Sequence, residues 1–369
     1  MRAIVKAGAA LSVLAVLATA CAKPASNSNT GTTTTAKFTG CMVTDTGGID
    51  DKSFNQSSWA GMQAAKAAMP GKISVQYLPS NTTADYAKNI STFISRKCGI
   101  IVTVGFLMGS ATEAAAKANP KQKFAIVDCS YASACMTGPH QTNIDQLVFN
   151  TVQDSFLGGY LAAGMTKTGK VATYGGEKFG TVTIYEDGFW DGVQYYNKVH
   201  HTHVAVLGWS YPKQNGIFAG SFTNLSAGQT IANTFIHDGA DIIFPVAGGV
   251  GLGTAKAVQS ADAAGKNINM YWVDTDGCVI GPTAYCKYFI TSVEKGIITA
   301  VKGAVLAAAN GSFKGGSYIG TLANGGAVLA PFHSPWTTKV PAALQAELNQ
   351  VKTKIENGTI VPQTKSPVG

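Results

Sequence analysis

Residues 41–62 read CMVTDTGGIDDKSFNQSSWAGM, and the rest of the chain repeats the type of pattern that this stretch begins. A short apolar run ends just before Asp45, and two glycines follow it. A pattern typical of an amphipathic helix then starts near Ser57. Strand, glycine turn and helix open a doubly wound α/β unit, in which ligands bind outside the carboxyl ends of the strands. An ordinary βα turn with a helix N-cap would explain the same residues.

The alternation of strand and helix continues along the chain. Continuous β-branched runs such as residues 100–104 predict strands buried in a parallel sheet, and residues 83–96 have the spacing of an amphipathic helix. Asp45, Asp128 and Asp274 each stand at the end of a predicted strand, so the three carboxylates should share one rim. The chain is 369 residues long, which suits two lobes of ordinary size.

Composition narrows the class of protein. Charged residues make up 13% of the chain, well below the usual quarter, while glycine, alanine, serine and threonine are abundant. The formal net charge is +8, but the lysines are scattered and form no basic run. A nucleic-acid interface needs its basic residues clustered on one face, so the sequence does not predict one.

The first residues have the layout of an export signal, a basic segment followed by an apolar stretch too short to span a membrane. Small residues just before Cys21 resemble the bacterial lipobox, although Ala18 stands where leucine is usual. The resemblance implies removal of residues 1–20 and lipidation of Cys21. A plain secretory signal is the alternative. Residues 21–36, rich in serine and threonine, are expected to form a disordered tether.

Six cysteines follow Cys21, an even number that indicates disulfides in an exported protein. Cys129 and Cys135 would close a short loop, and Cys278 and Cys286 would close a segment that resembles a hairpin insertion. Cys41 and Cys98 each begin an apolar run, and those two runs would be neighbouring strands in a doubly wound sheet. A zinc site is the alternative, but no C-x2-C spacing supports it. The expected disulfides are Cys129–Cys135, Cys278–Cys286 and Cys41–Cys98.

Motifs of known cofactor and catalytic sites are missing from the sequence. The glycines at residues 248–253 (GGVGLG) lack the GK[ST] of a Walker A loop and the spacing of a dinucleotide-binding turn. A turn that approaches a ligand is the better interpretation. His200, His201 and His203 lie together, but a solvated loop explains them better than a metal site does. No nucleophile elbow or H-E-x-x-H pattern is present, so we expect no cofactor, metal or catalytic residue.

Several segments resemble the basic membrane protein family, the nucleoside-binding lipoproteins of ABC transporters. TDTGGIDDKSFNQ at residues 44–56 is similar to the family signature. Residues 104–128 and 153–163 also match the family closely, and the lysine that ends residues 291–295 corresponds to a family lysine. GSFTN at residues 220–224 resembles the family loop G-S-F-x-D. These matches extend over most of the chain that follows the tether.

The resemblance implies a two-lobed α/β fold like that of the type I periplasmic binding proteins, each lobe a doubly wound parallel sheet flanked by helices. We expect residues 37–149 and 289–325 in the N-terminal lobe, and residues 150–288 and 326–369 in the C-terminal lobe. The implied function is not enzymatic. The protein would capture a nucleoside, with a purine expected, and deliver it to an ABC permease. It would act as a monomer on the extracytoplasmic face of the cell membrane, held there by its lipid.

Seven residues are expected to meet in the cleft between the lobes: Asp45, Phe54, Asn55, Asp128, Phe222, Asp274 and Lys295. The two phenylalanine rings would sandwich a flat base, with stacking worth about 1 kcal/mol beyond area burial. The three aspartates would accept hydrogen bonds from sugar hydroxyls. Asn55 offers a donor and an acceptor to a base edge. Lys295 matches the family lysine that reaches the sugar or balances the aspartates.

Other roles for these residues stay open. Phe222 could be a core residue, and Asp128 and Asp274 could be helix N-caps. Departures from the family pattern also bear on the identity of the ligand. Asn224 replaces a usual aspartate and Gln229 a usual lysine. The family's D-x-D-Q pattern reads DTDG from Asp274, with the cysteine-bracketed insertion directly after it, and the glycine loop after residue 175 lacks a proline.

Two other functions are compatible with the same residues. A surface-anchored hydrolase of nucleosides or sugars would use the aspartates as acid and base. A ligand-sensing module would share the binding site and differ only in its partner protein.

Overall fold

The computed structural model describes residues 38–368. These residues form two α/β lobes, each built on its own six-stranded sheet. The predicted signal segment (residues 1–20), the lipidation site at Cys21 and the tether at residues 21–36 lie outside the described residues. Within the part of the chain that is described, no helix has both the length and the apolar character needed to cross a membrane.

The first lobe is formed mainly by the segment that ends at residue 149, in which strands and helices alternate. In chain order its elements are β1 (Phe38–Val43), α1 (Phe54–Ala68), β2 (Ile73–Leu78), α2 (Asp85–Ser95), β3 (Ile100–Val104), α3 (Gly109–Ala118), β4 (Phe124–Val127) and β5 (Ile144–Phe149). A short 3-10 turn, Phe106–Met108, lies between β3 and α3.

The second lobe continues the alternation. Its elements are α4 (Val152–Met165), β6 (Lys170–Gly175), α5 (Gly180–His200), β7 (Ala205–Leu207), β8 (Trp209–Ser210), β9 (Asn215–Gly216), α6 (Leu225–His237), β10 (Ile242–Val246), α7 (Gly251–Ala263), β11 (Asn269–Asp274) and β12 (Phe289–Lys295).

After β12 the chain returns to the first lobe and then leaves it again. Helix α8 (Ile297–Ala309) packs against α1, and β13 (Gly316–Gly320) pairs with β5. The second lobe is completed by β14 (Ala327–Leu329), α9 (Trp336–Lys339) and α10 (Ala342–Glu356). The chain therefore crosses between the lobes after β5, after β12 and after β13.

The two sheets have equivalent strand orders and differ in the direction of one edge strand. The first has the order β2-β1-β3-β4-β5-β13 and is parallel throughout. The second has the order β7-β6-β10-β11-β12-β14, with only β14 antiparallel to its neighbour. Central strands such as β3 are buried along their whole length, as their β-branched sequence predicts. Two separate sheets with this order confirm the predicted two-lobed α/β architecture.

One predicted lobe boundary is wrong. Residues 289–295 were expected in the N-terminal lobe, but they form β12, which pairs with β11 in the second sheet. The return to the first lobe occurs only at α8. The sequence of an apolar strand does not show which of the two sheets it joins, because both sheets bury such strands on two faces. The correction matters for the site, since Lys295 ends a strand of the second lobe.

Helix α5 is held closely against α4, and its first residues reach the cleft. A Cβ atom at Gly159 of α4 would overlap the carbonyl of Phe189, and one at Gly192 of α5 would overlap the carbonyl of Phe156. Glycine at both positions allows the two helix backbones to touch. This close packing fixes the N-terminal end of α5, which begins at Gly180.

All three expected disulfides are present in the structure. Cys41–Cys98 joins β1 to the start of β3, next to it in the first sheet. Cys129–Cys135 closes the loop after β4, and Cys278–Cys286 closes the loop between β11 and β12. The last loop contains the 3-10 segment Thr283–Tyr288, so the insertion is a helical turn and not a hairpin.

Candidate functional site

A pocket lies where the carboxyl ends of strands from both sheets face each other. Six of the seven predicted site residues line it: Asp45, Phe54, Asp128, Phe222, Asp274 and Lys295. The glycines at 248 and 249 also line it, in agreement with the expected turn near a ligand. Because strand ends carry these residues, the topology alone brings residues distant in sequence to one cleft.

Asp45 is fixed from behind by Asn55. The Asn55 amide nitrogen donates to Asp45 Oδ1 over 2.6 Å, and the backbone N–H of Asp45 donates to Asn55 Oδ1 over 3.2 Å. Asn55 is 1% exposed and is not among the residues that line the pocket. Its place is therefore behind the pocket wall, where it orients Asp45. Burial raises the pKa of Asp45 above its ordinary value.

A glycine allows Asp45 to reach the rim. Gly105 has φ +112°, and a Cβ atom there would lie 2.9 Å from Asp45 Oδ2. Any other residue would meet both backbone strain and this carboxylate. Gly105 directly follows β3, which is paired with β1 in the sheet, so the ends of these two strands lie side by side.

Asp51 organises the turn that precedes α1. Its carboxylate accepts hydrogen bonds from the backbone N–H groups of Ser53, Asn55 and Gln56, at 3.0, 2.7 and 3.1 Å. These bonds satisfy donors that are left unpaired at the start of a helix. Burial nevertheless outweighs them and raises the pKa of Asp51 to about 6. Asp51 also lines the pocket, and the sequence interpretation did not include it.

Lys295 stands among carboxylates at the base of the pocket. Its ammonium forms an ion pair with Asp128 and lies 3.5 Å from Asp274 Oδ1. Burial raises the pKa of Asp128 to about 6, against the opposing effect of Lys295. Burial alone would lower the pKa of Lys295, but the two carboxylates outweigh it and raise that pKa. The ammonium therefore stays charged at neutral pH.

Asp274 is held by both lobes. The Ser53 hydroxyl of the first lobe donates to Asp274 Oδ2 over 2.8 Å, and the Tyr185 hydroxyl of α5 donates to Oδ1 over 3.2 Å. Asp274 and Asp128 both have left-handed backbones, with φ of +68° and +61°. No helix begins directly after either residue, so neither is a helix N-cap. Their side chains face Lys295 instead.

Aromatic rings form the other wall of the pocket. Phe179 stacks on Phe106 of the first lobe, with ring centroids 4.9 Å apart and planes 17° apart. Phe222 stacks on Phe179 with centroids 6.3 Å apart. Phe222 also packs against the second-lobe core, so both interpretations of this residue apply. The ring of Phe54 lies under Lys295, whose ammonium is 5.3 Å from the ring centroid.

Sequence reasoning missed Phe106, Phe179 and Tyr185, all of which line the pocket. Phe106 follows a strand end directly, which was the available signal. Phe179 and Tyr185 belong to the start of α5, which begins at Gly180, whereas the predicted helix started near Gly188.

Chemically, the pocket combines flat rings with several hydrogen-bond acceptors and one ammonium. Such a site suits a molecule with a flat face and several hydroxyl groups. Among the described residues, the one group that could offer three metal ligands is Asp276, Cys278 and His333, and Cys278 is bound in a disulfide. His200 lies elsewhere, hydrogen-bonded to Tyr160 and Glu347.

Two lobes with the same strand order and a pocket at the facing strand ends define the fold of the type I periplasmic binding proteins. The chain is similar to a solved solute-binding protein of an ABC transporter system from Aeropyrum pernix K1, with a TM-score of 0.76 and 22% identity over 89% of this chain and 94% of the other. This likeness shows the shared fold.

The chain belongs to the Bmp family, described as ABC transporter substrate-binding protein PnrA-like, which matches residues 38–368. It is therefore an ABC transporter substrate-binding protein, and the resemblance read from the sequence is confirmed. It is 30% identical to the ABC transporter nucleoside-binding protein BmpA of Lactococcus lactis subsp. cremoris, over 99% of both chains. It is 32% identical to the CD4+ T-cell-stimulating antigen of Listeria monocytogenes, over 88% of both chains.

Proposed function

We propose that the protein captures a nucleoside, with a purine base preferred, between its lobes and delivers it to a membrane permease. One observation carries the proposal: four carboxylates, a lysine and several aromatic rings line one pocket between the lobes. The Lactococcus relative is named a nucleoside-binding protein, which supports the same class of ligand. The departures from the family pattern, including the cysteine-bracketed insertion, do not change the two-lobed architecture.

The aromatic wall of the pocket would bind the base of the nucleoside, and the carboxylates would bind its ribose. Phe54 and Phe222 would contact the faces of the base, with Phe179 extending that apolar wall. Asp45, Asp128 and Asp274 would accept hydrogen bonds from ribose hydroxyls, since charged acceptors make the stronger bonds. Lys295 would offset the repulsion among the carboxylates.

Calorimetry on the protein lacking residues 1–20 tests the proposal, with purine nucleosides, pyrimidine nucleosides, free bases and ribose as titrants. Phe54→Ala and Phe222→Ala should each weaken nucleoside binding by about 1–3 kcal/mol, the scale of base–aromatic stacking. Asp274→Ala should weaken binding of the nucleoside more than binding of its base, because only the sugar loses an acceptor. Equal losses for nucleoside and base would refute the ribose role of Asp274. Unchanged affinity in both ring variants would refute the sandwich.

We also propose that a lipid on Cys21 holds the protein at the extracytoplasmic face of the membrane, as a monomer. A lipid chain on one residue anchors a protein without spanning the bilayer. Cys21→Ser should move the protein from the membrane fraction to the soluble fraction of cells. A membrane fraction unchanged by this substitution would rule out the anchor.

A nucleoside hydrolase is the second candidate, because burial raises the pKa of both Asp51 and Asp128 to about 6, and both carboxylates line the pocket. Both carboxylates are already engaged, one with three backbone N–H groups and one with Lys295. We therefore expect binding without turnover. Incubation with a bound nucleoside, followed by chromatography for free base, separates the two functions, and release of base would establish the hydrolase.

A further inference from the structure

The second lobe contacts the turn before α1 and the first turn of α1 itself at three places. The indole N–H of Trp272 donates to the carbonyl of Lys52 over 3.0 Å. The Ser53 hydroxyl lies 3.1 Å from the carbonyl of Val273 and 2.8 Å from Asp274 Oδ2. Farther out, the side-chain amide of Gln56 donates to the carbonyl of Ile280 over 2.8 Å. Each contact joins the two lobes, so it exists only while they are closed.

The contact with Gln56 is made by a loop that the Cys278–Cys286 bond closes. This disulfide-closed loop consists of residues 277–286. The backbone N–H groups of Val279, Ile280 and Gly281 all donate to the carbonyl of Asp276, at 3.1, 2.9 and 3.1 Å. This compact turn and the Cys278–Cys286 bond together fix the direction of the Ile280 carbonyl. The disulfide-closed loop is thus a rigid acceptor for a first-lobe side chain.

The same loop is seated on Trp272. A Cβ atom at Gly281 would lie 3.0 Å from the Trp272 indole nitrogen, and one at Gly277 would lie 2.8 Å from the Trp272 Cβ. Trp272 is fully buried, and so is Ser53 on the facing lobe. The Ser53 bonds in this buried contact are stronger than bonds that compete with solvent, whereas the bond from Gln56 to Ile280 is partly buried. The loop, Trp272 and the turn therefore form one packed unit.

We propose that the disulfide-closed loop is a closure latch, which binds Gln56 when the lobes close and slows the release of the captured ligand. This inference rests on the proposed function only in its claim about release; the latch itself is a property of the two lobes. Gln56 does not line the pocket, although Phe54, two residues before it, does. The latch thus acts on the ligand by holding the start of α1 and not by touching the ligand.

Two sets of variants test the latch. Gln56→Leu removes the donor, and Gln56→Glu keeps the shape while replacing the donor by an acceptor. Cys278→Ser with Cys286→Ser frees the acceptor loop. Gln122→Leu is the matched control, because the Gln122 amide donates to the carbonyl of Cys98 over 3.0 Å within a single lobe. Thermal unfolding of each variant establishes that it is folded.

Guanosine dissociation, measured by stopped-flow fluorescence, is the first readout. The latch predicts dissociation about fivefold faster in both Gln56 variants, the effect of one net hydrogen bond. The double cysteine variant should match them, and its combination with Gln56→Leu should add little. Rates equal to those of Gln122→Leu would overturn the latch.

Small-angle scattering of the ligand-free protein is the second readout, and it does not require that guanosine bind. The radius of gyration should be larger in the Gln56 and cysteine variants than in the wild type and Gln122→Leu, because the lobes separate more often. An unchanged radius would overturn the latch. If the wild type binds no nucleoside, the proposed function fails, while this comparison still decides the latch.

Discussion

Lys295 and Asp128 form an ion pair that joins the two lobes and is almost withdrawn from water. The residues are 167 positions apart, and their side chains are 5% and 7% exposed. Lys295 ends β12 of the second lobe, and Asp128 follows β4 of the first. Asp274 lies on the other side of the ammonium, so one lysine serves two carboxylates.

Removing one member of this pair should destabilise the protein strongly. Lys295→Met leaves two buried carboxylates without their ammonium, and Asp128→Asn leaves the ammonium with Asp274 alone. Removing one partner of a buried pair typically costs about 3–5 kcal/mol, and the loss should be larger for Lys295→Met. The double variant should lose less than the sum of the two single losses, because Asp274 is then the one carboxylate of the two that is left without the ammonium. Urea unfolding of the three variants measures these differences.

The pair Lys352 and Glu356 supplies the control. It is an i,i+4 pair on a helix surface, with side chains 49% and 32% exposed. Exposed pairs of this kind contribute less than about 1 kcal/mol. Additive losses at Asp128 and Lys295, or losses as small as at the control pair, would contradict the buried-pair account.

The ring contact between the lobes should affect all ligands alike. Phe106→Ala removes the stack on Phe179, a type of contact worth about 0.5–1.5 kcal/mol beyond area burial. Because the stacked rings belong to the apolar wall of the pocket and carry no sugar-binding carboxylate, a nucleoside and its free base should lose similar affinity. Calorimetry with both ligands checks this. A loss confined to one of them would indicate direct contact with that ligand.

Glu294 should make the protein less stable as the pH rises. Burial, with the nearby Asp276 carboxylate, raises the pKa of Glu294 from 4.5 to about 8. Between those values the folded protein keeps a proton that the unfolded chain has released, so stability falls with increasing pH. Thermal unfolding at pH 5 and pH 8.5 should therefore show a smaller decrease in Tm for Glu294→Gln than for the wild type. Glu356→Gln, at an exposed position, should retain the full decrease.

Two of the disulfides should contribute different amounts to the free energy of unfolding. Cys41–Cys98 spans 57 positions and Cys129–Cys135 spans 6. In the chain-entropy account the longer loop is worth about 4 kcal/mol and the shorter about 2.4 kcal/mol. Replacing each pair by alanine and measuring urea unfolding tests this order. An equal loss at the two pairs would show that chain entropy is not the main contribution.

Much of the fold could be predicted because buried strands carry a direct signal. The runs that became β3 and β10 are apolar throughout, and the residues at strand ends are necessarily brought to one edge. That rule alone placed Asp45, Asp128 and Asp274 around one pocket.

The errors arise where local sequence does not determine long-range placement. β12 has the composition of a strand in either sheet, and only its pairing with β11 assigns it to the second lobe. The start of α5 is rich in glycine and threonine, which mask a helix, so Phe179 and Tyr185 were missed. Asn55 has the chemistry for contacting a ligand, but the turn directs its amide toward Asp45.

The pairing of β13 with β5 has a consequence for how the protein is made. Strand β13 completes the first sheet from positions about 170 residues beyond its partner, as the Gln146 side chain bonded to the Gly316 carbonyl illustrates. Chains are synthesised from the N-terminus, and domains generally fold as they emerge. The edge of β5 therefore stays open while the whole second-lobe segment is synthesised. During that interval the nascent chain carries an unpaired parallel edge, which is prone to pairing with other chains.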